Sequence, residues 1–491
     1  MRKRIFSGLS AFCMIASACF MSDTAVAETQ SIKVGGDISA HYIKNHAMSF
    51  TSSPIDSDAS FLTQARLYVE ADLTDNVKTY VRVLNQREWD SADNIGSSIS
   101  EDDIDLDLAY VQISEFMYSP LTLTIGRQEI VWGSGLVIAD GIPNPSPNSS
   151  IDNAWYGLEA GFDAIRGQID LDTVRFDMFV AQTKEDKPFS ANKNDTTLTN
   201  GDIAAAIAGL DKDNNNDGMI YGLSASRVLP SEVVLSGYVT LEVDEGIQTQ
   251  DAFTEVTPAT TPVTYTFTGA NDLGKDEIYT LGGRIEGPLY SVDPRLSFEA
   301  ELAYQWGDET VYDADNAAFK AVDRASWAAI IGGSYSFEHP YKPVVSLHYD
   351  YRSGDDDSED DKNQAWSAPH YARGIGNLID QIANRYANDY DDDNLATFGT
   401  GSTNIKAFTG SASFTPFADV EVELSLVYAE LDKTVDADVD FIEVIGSLSY
   451  DYTEDVTFSF RGSLLDPEGT TPGLKNDENA YEFLSSVVVE F

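Results

Sequence analysis

The chain has 491 residues and a formal net charge of −50, with 31 basic side chains against 81 acidic ones. A negative charge of this size repels nucleic acid and anionic lipid, which excludes nucleic-acid binding as a function and favours contact with cations. The two cysteines, Cys13 and Cys19, both lie near the N-terminus. The remainder of the chain therefore forms no disulfide and no thiolate metal site.

The N-terminus has the three parts of a secretory signal peptide. Residues 2–4 (RKR) are basic, an apolar stretch too short to span a bilayer follows, and residues 25–27 (AVA) form a cleavage site. An alternative interpretation is a lipoprotein signal with Cys19 as the lipidated residue. We predict a signal peptide over 1–27 and a single mature domain over 28–491.

Eighteen segments show the alternation of apolar and polar residues that membrane β-strands require over about ten residues. One face of 295–306 carries Leu, Phe, Ala, Leu, Tyr and Trp, whereas the other carries Ser, Glu, Glu, Ala and Gln. Apolar faces that end in Tyr or Trp are typical of strands that meet lipid headgroups. The predicted strands span approximately 31–42, 62–73, 77–88, 104–115, 120–132, 161–171, 173–183, 219–228, 232–243, 277–287, 295–306, 325–337, 343–352, 404–415, 420–430, 438–450, 455–464 and 480–491.

The connections between these segments alternate in length. Every second one is a short turn, and the others are mostly long, at 43–61, 89–103, 133–160, 184–218, 244–276, 307–324 and 353–403. Outer-membrane barrels sort their connections in this way, whereas a soluble β-sandwich has no reason to do so. We therefore predict an all-β fold: one transmembrane antiparallel β-barrel of about 18 strands in the bacterial outer membrane. Its turns would be periplasmic, its long acidic loops extracellular, and its lumen wide enough for water.

The C-terminal segment 480–491 (AYEFLSSVVVEF) agrees with this location. Alternate residues from Tyr481 onwards are mostly apolar, and the chain ends on Phe491. Such a last strand is typical of outer-membrane barrels, and we expect the barrel-assembly machinery to recognise it. An alternative is the last strand of another kind of β-fold.

Two stretches carry a resemblance to a known family. ARLYVEADLTDNVKTYVRVLNQRE (65–88) and LAYVQISEFMYSPLTLTIGRQEIVWGSG (108–135) resemble the alginate-export family of outer-membrane porins. The residues that match the family signature are Ala109, Tyr110, Gly126, Arg127, Gln128 and Gly133. The resemblance implies an 18-stranded monomeric channel that passes an anionic polysaccharide or, in other members, unrelated small solutes.

Charged residues divide between the loops and the strands. Most acidic residues fall in predicted extracellular loops, as in 355–361 and 389–393. Arginines on inward strand faces would attract carboxylates and donate bidentate hydrogen bonds to them. Alternatively, each arginine pairs with a neighbouring carboxylate of the wall, because unpaired buried charges are costly. The candidate residues of the solute path are Arg66, Arg82, Arg127, Arg166, Arg175, Arg284, Arg352 and Arg461.

Arg127 needs a separate argument. It has the same parity as Leu121 and Ile125, so regular alternation would turn it to lipid, at a cost of about 2–4 kcal/mol at mid-membrane. Gly126 is a natural bulge residue. We therefore predict a bulge at 126–127 that turns Arg127 into the lumen.

The loop 353–403 contains apolar residues at helical spacing between 373 and 386, which predicts a short helix. This helix would either fold into the lumen and constrict it or pack on the barrel rim.

The segment 211–218 (DKDNNNDG) resembles the start of a calcium-binding loop, with Asp213, Asn215 and Asp217 as candidate ligands. The bidentate acid expected at the twelfth position is replaced by Ser224. The alternative is a solvated loop rich in Asn and Asp. No other cofactor is predicted.

These features predict a monomeric, passive outer-membrane channel for a hydrophilic solute, in particular an anion such as an alginate-like polyuronate or a small organic acid. A nonspecific or cation-preferring porin is the first alternative, favoured by the acidic loops. An outer-membrane hydrolase is the second, because His348 lies between Ser346 and Asp350 on one predicted lumen face. Residues two apart on a strand are separated by about 7 Å, and no G-x-S-x-G or H-E-x-x-H motif is present. We therefore predict no enzymatic activity.

Overall fold

The computed structural model describes residues 31–46, 57–89, 104–139, 161–184, 218–244, 253–256, 264–267, 276–313, 318–355, 360–368, 373–381, 403–433, 439–469 and 479–491. The predicted signal peptide and the candidate calcium residues Asp213, Asn215 and Asp217 lie outside these residues, so both stay predictions. Among the described residues, no helix is both long and apolar enough to cross a membrane.

Within the described residues, eighteen antiparallel strands form one closed sheet in which each strand pairs with its neighbours in chain order. This confirms the predicted barrel. The strands are β1 (Ser31–His46), β2 (Ser57–Thr74), β3 (Val77–Glu88), β4 (Asp105–Ile113), β5 (Leu121–Gln128), β6 (Phe162–Leu171), β7 (Val174–Lys184), β8 (Gly218–Val228), β9 (Val234–Asp244), β10 (Asp276–Pro288), β11 (Leu296–Asp313), β12 (Ala318–Ser336), β13 (Val344–Arg352), β14 (Ile405–Phe417), β15 (Val420–Leu431), β16 (Val439–Thr453), β17 (Val456–Gly469) and β18 (Ala480–Glu490).

The last strand closes the barrel on the first. β18 pairs with β1 from Asp37↔Glu490 to His46↔Tyr481. The C-terminal residue takes part, because the N–H of Gly36 donates to the Phe491 carbonyl at 2.9 Å, and the N–H of Phe491 donates to the Gly36 carbonyl at 3.0 Å. A closed sheet has no unpaired edge, so its backbone groups are satisfied inside a bilayer.

The two faces of the wall differ as the alternation predicts. On β11, Leu302, Tyr304 and Trp306 are 57%, 47% and 38% exposed on the outer surface. Glu301 and Gln305, between them, are 2% and 3% exposed and face the interior. Large apolar side chains stay exposed on the outside because lipid is the solvent there, and polar side chains line the lumen.

Short turns lie at the rim with the chain ends, and longer connections lie at the other rim, as predicted. The predicted long loop 307–324 is wrong. β11 and β12 pair without interruption from Leu296↔Tyr335 to Asp313↔Ala318, so only 314–317 connect them. Bilayer thickness limits the apolar band of a strand and not its hydrogen-bonded ladder, which here extends beyond the predicted strand ends.

A bulge is present in β4 and not in β5. Arg82 pairs with Leu108 and Val83 pairs with Leu106, so Asp107 has no partner in this ladder. The bulge turns the Asp107 carboxylate towards Arg82, with which it forms an ion pair. The bulge predicted at 126–127 is wrong, because β5 pairs without a register shift with β4 through Arg127 and with β6 through Gln128.

Candidate functional site: the lumen and its two inward loops

The arginines of the lumen wall lie beside carboxylates. The Nε atom of Arg66 is 2.9 Å from Oδ2 of Asp37, and Nη2 of Arg461 is 3.3 Å from Oε1 of Glu482. The wall is therefore mixed in sign, and the predicted pairing of arginines with wall carboxylates is found. The remaining pairs of predicted path residues are Arg82 with Asp107 and Glu129, Arg166 with Asp177, Arg175 with Asp170, and Arg284 with Glu286, Glu299 and Glu301.

Arg127 does not lie in the lumen, so this part of the prediction is wrong. It keeps the parity of the exposed Ile125, and its register partner on β6 is Asp163, which lies on the same face as the exposed Ile165. Nη1 of Arg127 lies 3.6 Å from Oδ2 of Asp163. The pair lies one residue before the extracellular end of β5, where an outward arginine costs far less than at mid-membrane.

Arg352 lies on the inner face of β13 and is 1% exposed. Its Nη2 donates to the Arg373 carbonyl at 2.7 Å, so it holds an inward-folded segment against the wall. Arg352, which was predicted to line the solute path, therefore binds another segment of the same chain.

A network of charges joins three strands to one inward segment. Arg284 on β10 lies 2.5 Å from Glu299 and 3.2 Å from Glu301, both on β11. Glu299 also lies 3.2 Å from Nη2 of Arg373 and 3.1 Å from Nε2 of His348 on β13. The arrangement distributes positive charge over two carboxylates and joins strands β10, β11 and β13 to the segment around Arg373.

His348 lies on the lumen face as predicted, yet it is not joined to Ser346. The hydroxyl of Ser346 hydrogen-bonds the Ser411 hydroxyl at 2.6 Å, and the partner of His348 is Glu299. A serine nucleophile needs its base within hydrogen-bond reach. The described contacts therefore do not assemble the arrangement that the hydrolase alternative requires.

The stretch after β5 folds into the barrel and is called here the first inward loop (residues 129–139). The N–H of Ser134 donates to Oε2 of Glu301 at 3.0 Å, across 167 positions of sequence. The indole N–H of Trp132 donates to Oδ2 of Asp177 at 3.2 Å. Gly133 has φ +60°, and a Cβ there would lie 2.7 Å from Oε1 of Glu301, so only glycine fits this approach.

The second inward loop (residues 360–368 and 373–381) belongs to the long connection 353–403. Its first part lies against β11 and β12. Nε2 of Gln305 donates to the Ser367 carbonyl at 2.6 Å, and Nη1 of Arg324 donates to the Ala365 carbonyl at 2.5 Å. Two residues, Lys362–Asn363, pair in parallel with β12.

The second part reaches the wall formed by β14 to β18, where carboxylates accept its N–H groups. The N–H groups of Asn377, Leu378 and Ile379 donate to Glu443 on β16 at 3.1, 2.8 and 3.1 Å. The Asn377 amide donates to Oε1 of Glu482 on β18 at 2.9 Å. Glu443 is fully buried beneath the loop.

The helix predicted over 373–386 is found only as a helical turn at 378–381, and residues from 382 lie outside the described part. The predicted start is wrong because Asp380 accepts the N–H groups of Ile375 and Gly376, at 2.8 and 3.0 Å to Oδ2. Those bonds fix a non-helical turn before Leu378. Of the two predicted destinations of this loop, the described residues occupy the lumen.

The two inward loops meet in one buried apolar cluster. Trp132 and Ile138 of the first loop share it with Trp366 and Ala368 of the second. Wall residues complete the cluster, among them Phe179, Tyr238, Ala303, Ala328 and Ile330. The loops therefore narrow the lumen as a joined unit.

The residues that hold the loops were not predicted. The sequence pattern places Glu301 and Glu443 among the polar residues of predicted strands, and it places Trp132 at the end of a predicted strand. The available signal was the glycine pair around Ser134 directly after Trp132, because Gly-x-Gly interrupts a strand and permits close approach. No local signal identifies Glu443 as the acceptor for residues 377–379.

The family signature has a structural meaning. Ala109 pairs with Arg127 and Tyr110 pairs with Gly126, so its two halves are register partners on β4 and β5. Gly126 has φ +120°, and a Cβ there would clash with the Ala109 carbonyl. Gln128 donates to the Gly126 carbonyl at 3.1 Å and to the Ala164 carbonyl at 3.2 Å.

Solved structures with the same architecture have low sequence identity. OccAB1 of Acinetobacter baumannii aligns with a TM-score of 0.51 at 12% identity, over 96% of this chain and 100% of that one. OpdQ of Pseudomonas aeruginosa aligns with a TM-score of 0.49 at 10% identity, over 94% and 98%. The first of these supports the outer-membrane barrel fold alone. No curated protein matches the sequence.

The sequence match to a family is extensive. The model of the alginate export family matches residues 30–439, which include fifteen complete strands of the barrel and both inward loops. With the closed 18-strand sheet, this assigns the bacterial outer membrane as the location and the lipid bilayer as the surrounding medium. The chain belongs to the alginate export family of outer-membrane barrels.

Proposed function

We propose that the protein is a passive channel for a hydrophilic anion of the alginate-like polyuronate class. The observation that carries the proposal is the set of seven predicted arginines on the inner wall of a lumen narrowed by two inward loops. In this arrangement a solute must pass close to fixed charges, which give a channel its selectivity.

Pairing with carboxylates does not exhaust the arginines as donors. A guanidinium has five N–H donors in a planar fork. Arg66 uses Nε on Asp37 and its side chain is 27% exposed, so its terminal nitrogens can meet a passing carboxylate. Arg82 is 14% exposed and lies between Asp107 and Glu129. A solute carboxylate would exchange with those wall carboxylates along the path.

A cation-preferring porin is the second candidate, and one observation favours it. Glu421 and Glu423 lie exposed on the inner face of β15, near Arg461. Wall carboxylates thus outnumber arginines in this sector, and an acidic wall raises the local concentration of cations.

The two candidates separate in a planar bilayer. We expect the purified channel to conduct, and alginate oligomers to block its current in a concentration-dependent way. The reversal potential in a salt gradient reports the ion preference. Cation selectivity without block by oligomers would reject the polyuronate proposal in favour of the cation-preferring porin, and absence of any current would reject the channel.

Two arginine variants provide a matched test of the lumen charges. Arg82→Leu leaves two wall carboxylates without their cation, so we expect the reversal potential to shift towards cations and oligomer block to weaken. Arg127→Leu removes the same charge from the outer face, where it should change neither quantity. An equal shift in both variants would contradict the assignment of Arg82 to the solute path.

A further inference from the structure

Three tyrosines form a row on the inner wall near the periplasmic rim. Tyr68, Tyr80 and Tyr110 stand on the adjacent strands β2, β3 and β4, and their rings are 5.6 and 5.3 Å apart between centroids, with 18° between neighbouring planes. They alternate along the strands with exposed outer residues such as Val69 and Val81. The row therefore belongs to the lumen and not to the lipid face.

The spacing leaves part of each ring face uncovered. Parallel rings in contact lie about 3.5 Å apart, so these centroid distances require neighbouring rings to be displaced sideways by about 4 Å. Each ring therefore overlaps only part of the next one. Each of the three residues is half-buried.

Glycine lies beside both ends of the row. The register partner of Tyr110 on β5 is Gly126, where a Cβ would lie 2.9 Å from the Tyr110 Cα. At the other end, the Tyr68 hydroxyl lies 2.5 Å from the place of a Cβ on Gly35. Neither glycine has a side chain that would cover an end of the row.

Charges flank the rings above and below. Lys78 and Arg82 lie two residues before and after Tyr80 on the same inner face of β3. Nζ of Lys78 is 3.2 Å from Oε1 of Glu70, and Nη2 of Arg82 is 2.8 Å from Oε1 of Glu129. A ligand lying on the rings would have both hydrogen-bond donors and acceptors at its edges.

A pyranose ring has this combination of properties. Its C–H groups form an apolar face with slightly positive hydrogens, which suits the negative face of an aromatic ring. Its hydroxyl and carboxylate groups lie around the edge, where cations and carboxylates bind them. A repeating sugar chain would meet three rings in succession.

We propose that Tyr68, Tyr80 and Tyr110 form a sugar-stacking subsite, which binds pyranose units of an oligosaccharide on its way through the lumen. The subsite extends the proposed function and rests on it, because it assumes that the solute passes through the lumen. The flat faces recognise the sugar ring, and the flanking charges recognise its substituents. The subsite therefore binds charged and uncharged oligosaccharides alike.

The test is equilibrium binding of fluorescently labelled oligosaccharides to the detergent-solubilised full chain, which does not require conduction. An alginate oligomer and an uncharged gluco-oligosaccharide of similar length are the probes. In the double variant Tyr80→Leu/Tyr110→Leu we expect affinity for both probes to fall about tenfold, because two stacking contacts are lost. Tyr80→Phe/Tyr110→Phe keeps the rings, so it should retain most of the affinity.

The matched control is Tyr279→Leu, which removes a stacked tyrosine from the outer face of β10, where its ring lies 5.6 Å from that of Trp306. It should leave binding unchanged. The heat-dependent mobility of the barrel on a denaturing gel verifies that each variant is folded, and the single variant Tyr80→Leu decides the matter if the double Leu variant is not.

Equal binding by wild type and the Leu variant would overturn the subsite, and so would binding of the alginate oligomer alone with no binding of the uncharged one. The proposed function fails separately. If the protein binds both probes through the tyrosines yet carries no current, the subsite stands and the channel is rejected. If it conducts and the Leu variant binds as well as wild type, the channel stands and the subsite is rejected.

Discussion

The two inward loops occupy one lumen, and each combines apolar burial with hydrogen bonds to wall carboxylates, in different proportions. The first buries Ile130, Trp132, Leu136 and Ile138 in the shared apolar cluster. The second places the N–H groups of residues 377–379 on a single buried carboxylate. Apolar burial is non-directional and tolerates changes that keep volume, whereas hydrogen bonds to a carboxylate are directional. The first loop should therefore respond more to lost volume and the second more to a lost acceptor.

The largest effect is expected for the apolar anchor of the first loop. Trp132→Ala empties a buried site between Phe179 and Tyr238, at a cost of about 3–5 kcal/mol to the cluster. The first loop should leave the lumen part of the time, and single-channel conductance should rise. Conductance steps in a planar bilayer provide the measurement.

The control for that variant is Trp327→Ala. Trp327 is a partly exposed tryptophan of the outer face, with its ring 4.2 Å from that of Tyr351. Its loss should leave conductance unchanged. If Trp132→Ala also left conductance unchanged, apolar burial would not be what holds the first loop.

A smaller effect on conductance is expected for the acceptor of the second loop, because Ile375, Leu378 and Ile379 still pack against the wall. Glu443→Ala removes the partner of three buried N–H groups, and a buried donor without a partner costs about 1–3 kcal/mol. The loop should move out to hydrate them, so conductance should rise. Glu443→Gln keeps an acceptor oxygen and should give an intermediate value.

Glu423→Ala is the matched control, since Glu423 is an exposed acid of the inner wall on the neighbouring strand β15. It removes the same charge without touching the loop. A conductance increase of the same size in both variants would mean that lumen charge, and not attachment of the loop, had been measured.

The smallest effect is expected far from both loops, in the periplasmic turn before β11. The Arg295 guanidinium donates to Asp293 and lowers the pKa of that carboxyl below its usual value. A depressed pKa in the folded state stabilises the fold above the ordinary pKa of about 4, and this contribution is lost as the pH falls further. Asp293→Asn should slightly lower the melting temperature at pH 7, and the difference from wild type should shrink below about pH 4.

Conductance of Asp293→Asn should equal that of wild type, because the turn does not contact either loop in the described structure. Thermal unfolding in detergent across this pH range provides the measurement. A difference that grew as the pH fell would have the wrong sign for this ion pair.

Local alternation determines which face of the wall each strand residue occupies, and most of the barrel was therefore predictable. On β11, each inward or outward assignment from Leu296 to Trp306 depends only on neighbours in the sequence. Arg127 also follows local alternation, although the bulge argument set that alternation aside. Its parity correctly indicated the outer face, and the expected bulge was placed at Gly126 although the unpaired residue is Asp107. Which strand of a pair takes the extra residue depends on the register of both.

The sequence by itself determined the barrel, its membrane, the sorting of most of its turns and seven of the eight predicted inward arginines, because period-two alternation and loop length are local properties. Only the tertiary structure decided how the lumen is narrowed. Ser134 meets Glu301 and Asn377 meets Glu482 through separations of 167 and 105 positions, which no local pattern encodes. These contacts exist because closing the sheet brings distant strands to opposite walls of one narrow space, where buried carboxylates and loop N–H groups satisfy each other.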